Sequence, residues 1–351
     1  MKPILEKLLY HPQLSKMGRK IFFSSIYTIL IIYYLWCIPA IYFLNLPWEW
    51  LRLTIMWIYI IAVPLALIIF RKNKHSLWPI AGVSLFFGIW FSLIPPSNNK
   101  NWEISVAKQP RVKFDGNLVH ITNIRSFIYK TPDEFKTRYI SGTYNLDNID
   151  SADYILSYWD GNTKVAHSML SFGFKDGRHI CVSVETRREK NEPQTGLRGL
   201  YNQYELIYIL ADESDLLLLR TNYRKEEVYV YPLKPAKPEN IRKVFVEILK
   251  QVKKLETHPT FYNTIKHNCF TTLMQDIKRV TSNPSYFDYR VIFNGLSDQM
   301  GYEKGWFKTD GLPFDKFKEL HHINKYIQND PNPYINFSQK IRPKLNNIKE
   351  K

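Results

Sequence analysis

The chain has 351 residues, 48 Lys and Arg against 32 Asp and Glu, a formal net charge of +16 and three cysteines. So few cysteines exclude a small disulfide scaffold, and the length allows a membrane anchor beside a full-sized core. The excess charge is spread along the chain and accompanies no recognition motif, which argues against nucleic acid as a partner.

No charged residue occurs between Lys20 and Glu49, between Arg52 and Arg71, or between Lys74 and Lys100. The apolar stretches 21–46, 53–70 and 77–95 each approach the ~20 residues that a helix needs to cross a bilayer, so three spans are expected. Lys2, Lys7, Lys16, Arg19 and Lys20 precede the first, and Arg71, Lys72 and Lys74 fill the second loop. The positive-inside rule then puts the N-terminus in the cytoplasm and everything after Pro96 across the membrane, which in a bacterium means an inner-membrane anchor and a periplasmic domain. A cleaved signal peptide fits poorly, because the first run is too long and lacks a small-residue cleavage site.

Residues 97–115 read as a connecting segment. Strand-like runs follow at Leu118–Ile124, Tyr154–Trp159, Ala166–Phe174, His179–Glu185, Tyr204–Ala211 and Val228–Pro232. A helix is predicted over Glu239–Leu255, with Ile241, Val244, Phe245, Ile248 and Val252 on one face. Strands first and helices later imply an α+β domain with an antiparallel sheet over 97–305. Residues 306–351 read as an aromatic, Pro-punctuated C-terminal extension that ends in a disordered Lys- and Asn-rich tail, Lys340–Lys351.

A second helix is predicted to begin at Cys269, where Phe270, Leu273, Ile277 and Val280 recur at helical spacing behind Asn268, a good N-cap residue. A thiol at a helix start sits in a field that favours an anion, one of the few settings in which it becomes a thiolate without a metal. The bland alternatives are a buried small hydrophobe or a Cys181–Cys269 disulfide. Lys175-Asp176-Gly177 has Gly third in a three-residue hairpin loop, and this register sets His167 directly opposite Glu185, with Cβ atoms about 4.5–5.5 Å apart. A two-residue Asp-Gly loop would shift the pairing by one residue and undo that opposition. The His167 face also carries the small or adaptable residues Met169, Ser171, Gly173, Cys181 and Ser183, a surface expected to let a helix pack close and deliver Cys269 to His167. No CxxC or HxxxH spacing supports a metal site, and no cofactor is expected.

Cysteine at a helix start, with histidine and a polar residue on neighbouring strands before it in the chain, resembles the permuted papain-like arrangement of NlpC-type thiol enzymes and lecithin–retinol acyltransferase relatives. More narrowly, residues 101–305 resemble the bacterial family of Lnb-type lipoprotein N-acyltransferase periplasmic domains. The resemblance is carried by Asn123-Ile124-Arg125, Phe127, Tyr129, His167, Leu170 to Phe174, Asp176-Gly177-Arg178 and Ser183 to Glu189. It continues through Gln203 to Leu206, Leu219 to Asn222, Tyr262-Asn263-Thr264 and Asn268-Cys269. Phe270 stands where a Thr is expected, and the apolar spans precede the domain. The resemblance implies a Cys269-His167-Glu185 triad acting through a thioester on phospholipid or lipoprotein acyl groups. Asn268, Tyr262 and Asn263 would line the oxyanion site or cleft, and Arg187 and Arg188 would hold a phosphate head group. A cell-wall peptidase or amidase and a non-catalytic envelope scaffold are the rival readings.

Overall fold

The computed structural model describes residues 16–69, 77–159, 161–235, 237, 239–281 and 288–342. The chain divides into two compact units, 1–95 and 96–351. The basic loop 71–74, Lys2, Lys7 and the tail beyond 342 lie outside the described residues.

The first unit holds three helices, α1 (Lys16–Tyr42), α2 (Glu49–Ile69) and α3 (Leu77–Ser92). Among the described residues α2 alone is long and apolar enough to cross a membrane, and the apolar parts of the others, Tyr27–Tyr42 and Pro79–Ser92, are shorter. The expected three spans are thus matched for one helix by length and composition. Inside this unit the Tyr34 hydroxyl donates to the Ile60 carbonyl at 2.8 Å, and the Tyr59 and Ser84 hydroxyls meet at 2.7 Å. Its outer surface is apolar, with Ile32, Trp57, Ile58, Ile61 and Phe86 all exposed.

The second unit is built on a sheet whose eight strands are β1 (Arg111–Asp115), β2 (Leu118–Arg125), β5 (Tyr139–Asn145), β6 (Ile149–Tyr158), β7 (His167–Phe174), β8 (His179–Arg187), β9 (Glu205–Ala211) and β10 (Glu227–Pro232). Two short strands, β3 (Ile128–Tyr129) and β4 (Phe135–Lys136), pair apart from it. The order is β1-β2-β9-β8-β7-β6-β10, with β5 also on β2. Pairing is antiparallel except where Arg125 of β2 meets Ala211 of β9 in parallel, so the sheet is mixed and not purely antiparallel as expected. The assumed connecting segment is also more structured than its composition implied. Asn98 donates to the Leu255 and Glu256 carbonyls, and residues 111–115 form β1.

Alternation along the strands sorts side chains onto two covered faces. On one face Leu170, Phe172, Phe174, Ile180, Val182 and Val184 pack against two long helices. These follow α4 (Gly196–Leu200) and α5 (Glu213–Leu218), and are α6 (Glu239–Thr257) and α7 (Cys269–Val280). Phe245, Ile248 and Leu249 of α6 are fully buried there, each such side chain contributing roughly 1.5–3 kcal/mol. On the other face Ile155, Met169, Cys181, Ile207 and Ile209 pack against Leu216–Leu218 of α5 and against Ile323, Ile327, Phe337 and Ile341. The C-terminal extension, as far as it is described, therefore completes the second layer. After α8 (Ser297–Glu303) it includes α9 (Phe314–Leu320), whose Phe317 packs with the first face, α10 (Asn324–Ile327) and α11 (Phe337–Lys340). Arg342 anchors it by ion pairs to the buried carboxylates of Asp153 and Glu213 at 2.6 and 2.5 Å.

One expectation fails at this level. Helix α7 packs on the Leu170–Phe172 face, not on the small-residue face of Met169 and Cys181, which α5 and the C-terminal segment cover. The two cysteines thus lie on opposite sides of the sheet, and all three cysteines are free thiols.

Candidate active site

The β7–β8 hairpin takes the three-residue loop. Pairs run Met169–Ser183, Leu170–Val182, Ser171–Cys181, Phe172–Ile180 and Gly173–His179. The loop closes when the Phe174 amide donates to the Arg178 carbonyl at 2.9 Å, and Gly177 takes φ +83°, which a side chain would strain. Continued two residues past Met169, this register aligns His167 with Glu185, and His167 Nε2 lies 3.1 Å from Glu185 Oε1. Ser183 stands between them, its hydroxyl donating to Glu185 Oε1 at 2.6 Å and lying 2.6 Å from His167 Nε2. Because the Ser183 proton goes to Glu185, the proton between serine and imidazole belongs to Nε2, which leaves Nδ1 for the thiol.

Helix α7 begins at Cys269. Asn268 caps it: its Oδ1 accepts from the Thr271 amide at 2.8 Å, and Thr271 Oγ1 accepts in return from the Asn268 amide at 2.9 Å. The thiol is 6% exposed. Burial opposes its ionisation, yet the adjoining His167 ring and a hydrogen bond from the Ser168 amide bring the thiol below its usual range. Burial likewise opposes a charged His167, but the Glu185 carboxylate and the Cys269 sulfur raise its pKa to about 9. Glu185, although buried, is held well below the ordinary carboxylate range by His167, Arg220 and the Ser183 hydroxyl. The three groups thus favour a thiolate–imidazolium pair braced by a carboxylate, with Cys269 in the same buried cluster as the α7 side chains Phe270 and Leu273.

Behind the carboxylate lies Arg220, one of the residues of the Leu219–Asn222 block. It is 4% exposed, donates from Nη2 to Glu185 Oε1 at 3.2 Å and from Nη1 to the Leu216 carbonyl, and lies 3.7 Å from Glu226. It sits in a single wide turn, Leu219–Tyr223, closed by the Arg224 amide on the Leu219 carbonyl. Such π turns recur at functional sites, and here the widening carries the guanidinium inward.

Tyr262 also reaches the nucleophile. Burial, with the nearby Cys269 sulfur and Glu185 carboxylate, raises its pKa, and the Cys269 amide acts in the opposite direction. Its ring packs against Gly199, where a Cβ would come within 2.4 Å of Thr264 Oγ1.

Four expected site residues play other parts. The Asn268 side chain accepts from the Thr271 amide to cap α7 and donates from Nδ2 to the Thr264 carbonyl at 2.9 Å, so it ties the preceding turn to the helix start. Asn263 Oδ1 accepts from the amides of Ile265 and Lys266, which makes it a turn builder rather than a cleft residue. Arg187 is 4% exposed and donates to the Val106 and Ala107 carbonyls and to Asn98, with its guanidinium over Trp102, so it is buried against its own chain and not presented to a head group. Arg188, half-buried, donates to the Glu192 carbonyl. Arg187→Ala is expected to cost roughly 2–4 kcal/mol of stability by stranding buried acceptors. Thermal melting of the full chain in detergent checks this: Arg188→Ala should shift the melt far less, and equal shifts would contradict the packing argument.

Asn294, given no role from the sequence, brings its Nδ2 within 3.8 Å of Cys269 Sγ. Among the described residues no cluster of His, Cys, Asp and Glu is arranged to hold a metal ion. Residues 135–295 match the family model described as the Lnb N-terminal periplasmic domain, a span that includes His167, Glu185, Cys269 and Asn294. No curated protein and no solved structure matches the chain.

Proposed function

We propose, from the Lnb N-terminal periplasmic domain that residues 135–295 carry, that this chain is a membrane-anchored periplasmic thiol acyltransferase whose nucleophile is Cys269. The observation that supports the reading best is the ordered line from Cys269 through His167 to Glu185, with His167 Nε2 3.1 Å from the carboxylate and the sulfur within the imidazole's reach. Nucleophile, base and orienting acid in that relation is the arrangement that acyl transfer through a covalent intermediate requires. The resemblance to a permuted papain-like fold agrees with it, as does an anchor in which α1 and α3 accompany α2 across the membrane.

In the first half-reaction the Cys269 thiolate attacks an ester carbonyl carbon of a phospholipid. As the tetrahedral adduct collapses, the carbon–oxygen bond breaks and the His167 imidazolium gives its proton to the leaving alcohol. In the second, neutral His167 takes a proton from an attacking amine, such as a lipoprotein N-terminus. The thioester carbon passes to nitrogen and the thiol is restored. Water in place of the amine makes the same site a hydrolase.

An apolar cavity along the Cys269 helix favours a lipid over a peptide. A cavity of about 640 Å³ is lined by Tyr154, Leu170, Phe172, Phe270, Leu273 and Ile277, and by Lys234, Lys237 and Lys243. Phe270 and Leu273 belong to the helix that begins with the thiol, so an acyl chain seated in this cavity would lie along that helix. A cell-wall peptide would want a polar groove there.

The test is to incubate the full chain in detergent micelles with phosphatidylethanolamine, quench in acid and analyse the protein by mass spectrometry. One acyl mass on the Cys269 peptide, labile to hydroxylamine and absent after iodoacetamide pretreatment, is expected. Ile277→Trp, which narrows the cavity, should reduce labelling by long-chain donors at least ~10-fold more than by short-chain donors. No acyl adduct from phospholipid, together with cleavage of a peptidoglycan stem peptide, would replace this reading with the peptidase one.

A further inference from the structure

The segment just before α8 meets the thiol by a route the sequence does not announce. Asn294 is buried and clasps the Ala166 peptide from both sides: its Oδ1 accepts from the Ala166 amide at 3.1 Å, and its Nδ2 donates to the Ala166 carbonyl at 2.7 Å. Ala166 directly precedes His167. The amide group has two hydrogens, and one is spent on Ala166. The other has the Cys269 sulfur at 3.8 Å.

The placement is rigid. The Gly295 amide donates to the Lys164 carbonyl at 3.0 Å, and the Tyr158 hydroxyl donates to the Gly295 carbonyl at 2.6 Å. A Cβ on Gly295 would lie 2.4 Å from the Thr163 carbonyl oxygen and 2.6–2.7 Å from Lys164 and Val165 backbone atoms, so this close docking requires glycine. Two residues on, the Ser297 hydroxyl is bonded to the Asn294 carbonyl at 2.5 Å and to the Tyr154 hydroxyl at 2.7 Å.

We propose that Asn294 is a further catalytic residue, the side-chain donor that faces the negative oxygen formed when Cys269 adds to a carbonyl. The assignment rests on the thiol-nucleophile reading. It takes the part expected of Asn268, whose side chain is bonded to the Thr264 carbonyl and the Thr271 amide and not to the sulfur. An oxygen on the carbon bonded to Sγ lies within about 3 Å of that sulfur, so a buried donor already next to the sulfur is placed to meet it without rearrangement. Donors fixed in advance where charge develops stabilise it most, because nothing must reorganise at the moment of reaction.

The experiment uses decanal, an aldehyde that forms a reversible thiohemiacetal. The Cys269 sulfur bonds to the aldehyde carbon, and the aldehyde oxygen becomes the oxyanion or, on taking the imidazolium proton, a hydroxyl. Protection of Cys269 from iodoacetamide reports decanal affinity in the full chain in detergent. Asn294→Ala and Asn294→Ser are compared with wild type. The serine variant retains a hydroxyl for the Ala166 peptide but is too short to reach the sulfur, and thermal melts identify folded protein. Decanal affinity is expected to fall ~10²-fold in both, while the alkylation rate without decanal and its pH profile stay within about threefold of wild type. Unchanged decanal affinity in either folded variant overturns the assignment of Asn294 alone. An alkylation profile that moves with the mutation overturns it too, by showing that the amide acts on the thiolate. A wild-type Cys269 inert to iodoacetamide removes the nucleophile reading itself.

Discussion

Cys269→Ala and His167→Ala are each expected to lower acyl transfer by on the order of 10⁴–10⁶-fold, and the double variant no further, because residues that act as one unit lose the whole of their effect when either is removed. The geometry explains why neither works alone. Cys269 is buried, which by itself raises a thiol pKa, and the adjoining imidazole is the foremost influence that reverses this. Without His167 the sulfur would sit as a neutral thiol in an apolar cluster with Phe270 and Leu273. Iodoacetamide alkylation provides a second readout that needs no lipid. In wild type, alkylation should already be fast below the usual thiol range. In His167→Ala the same rate should require pH above that range. Additive losses in the double variant, or an alkylation profile unmoved by His167→Ala, would show that the pair does not act as a unit.

Glu185→Gln is expected to lower acyl transfer by roughly 10²–10⁴-fold, the range seen when an orienting carboxylate is made neutral in comparable triads. Its sharper signature is in pH. The productive pair is thiolate with imidazolium, so the rate rises as the thiol ionises and falls as His167 loses its proton near pH 9. Burial pulls the His167 pKa down, and the carboxylate is the first of the influences that push it up. Removing that charge should move the alkaline limb downward by at least one unit. Stability follows the same sign. The raised His167 pKa contributes stability that is complete below the unfolded imidazole value and is lost as pH rises through about 9. The depressed Glu185 pKa contributes stability that is present above the unfolded carboxylate value and is lost as pH falls through its folded one. Glu185→Gln also removes one carboxylate from buried Arg220, whose other partner is Glu226 at 3.7 Å. Rate–pH profiles and thermal melts at matched pH separate the two effects. A lower rate on an unshifted profile would leave Glu185 a structural residue only.

The parts of this site legible in the sequence are those that depend on near neighbours in the chain. A glycine at the third loop position favours the three-residue β7–β8 loop, in which Gly177 alone takes the left-handed conformation, at φ +83°, whereas the two-residue alternative would require it of Asp176 as well. Once the register is set, the opposition of His167 and Glu185 follows from the pleat. Asn268 followed by helical periodicity places the thiol at a helix start for the same local reason. The family resemblance rests on those blocks, and the match over residues 135–295 contains them.

Misreadings arose where a polar side chain had more than one possible destination. Asn268 was expected to face an oxyanion, but the cap takes its oxygen and the Thr264 carbonyl takes its amide. Arg187 was expected to hold a head group, but Val106, Ala107 and Asn98 fold back from a segment read as a connector and hold its guanidinium in the interior. A buried donor goes where an unpaired acceptor waits, and acceptors supplied from 80 or more residues away leave no trace beside it in the chain.

The sequence by itself determined a basic protein with apolar spans before an α+β domain, a hairpin that faces histidine with glutamate, and a cysteine at a capped helix start. Period, turn chemistry and charge gaps are local properties, and they sufficed for these. Only the tertiary structure decided which face of the sheet receives the cysteine helix, that Arg220 braces Glu185, and that Asn294 closes on the sulfur. Those outcomes depend on which surfaces find cover and which buried polar atoms find partners, and packing brings those groups together from distant parts of the chain.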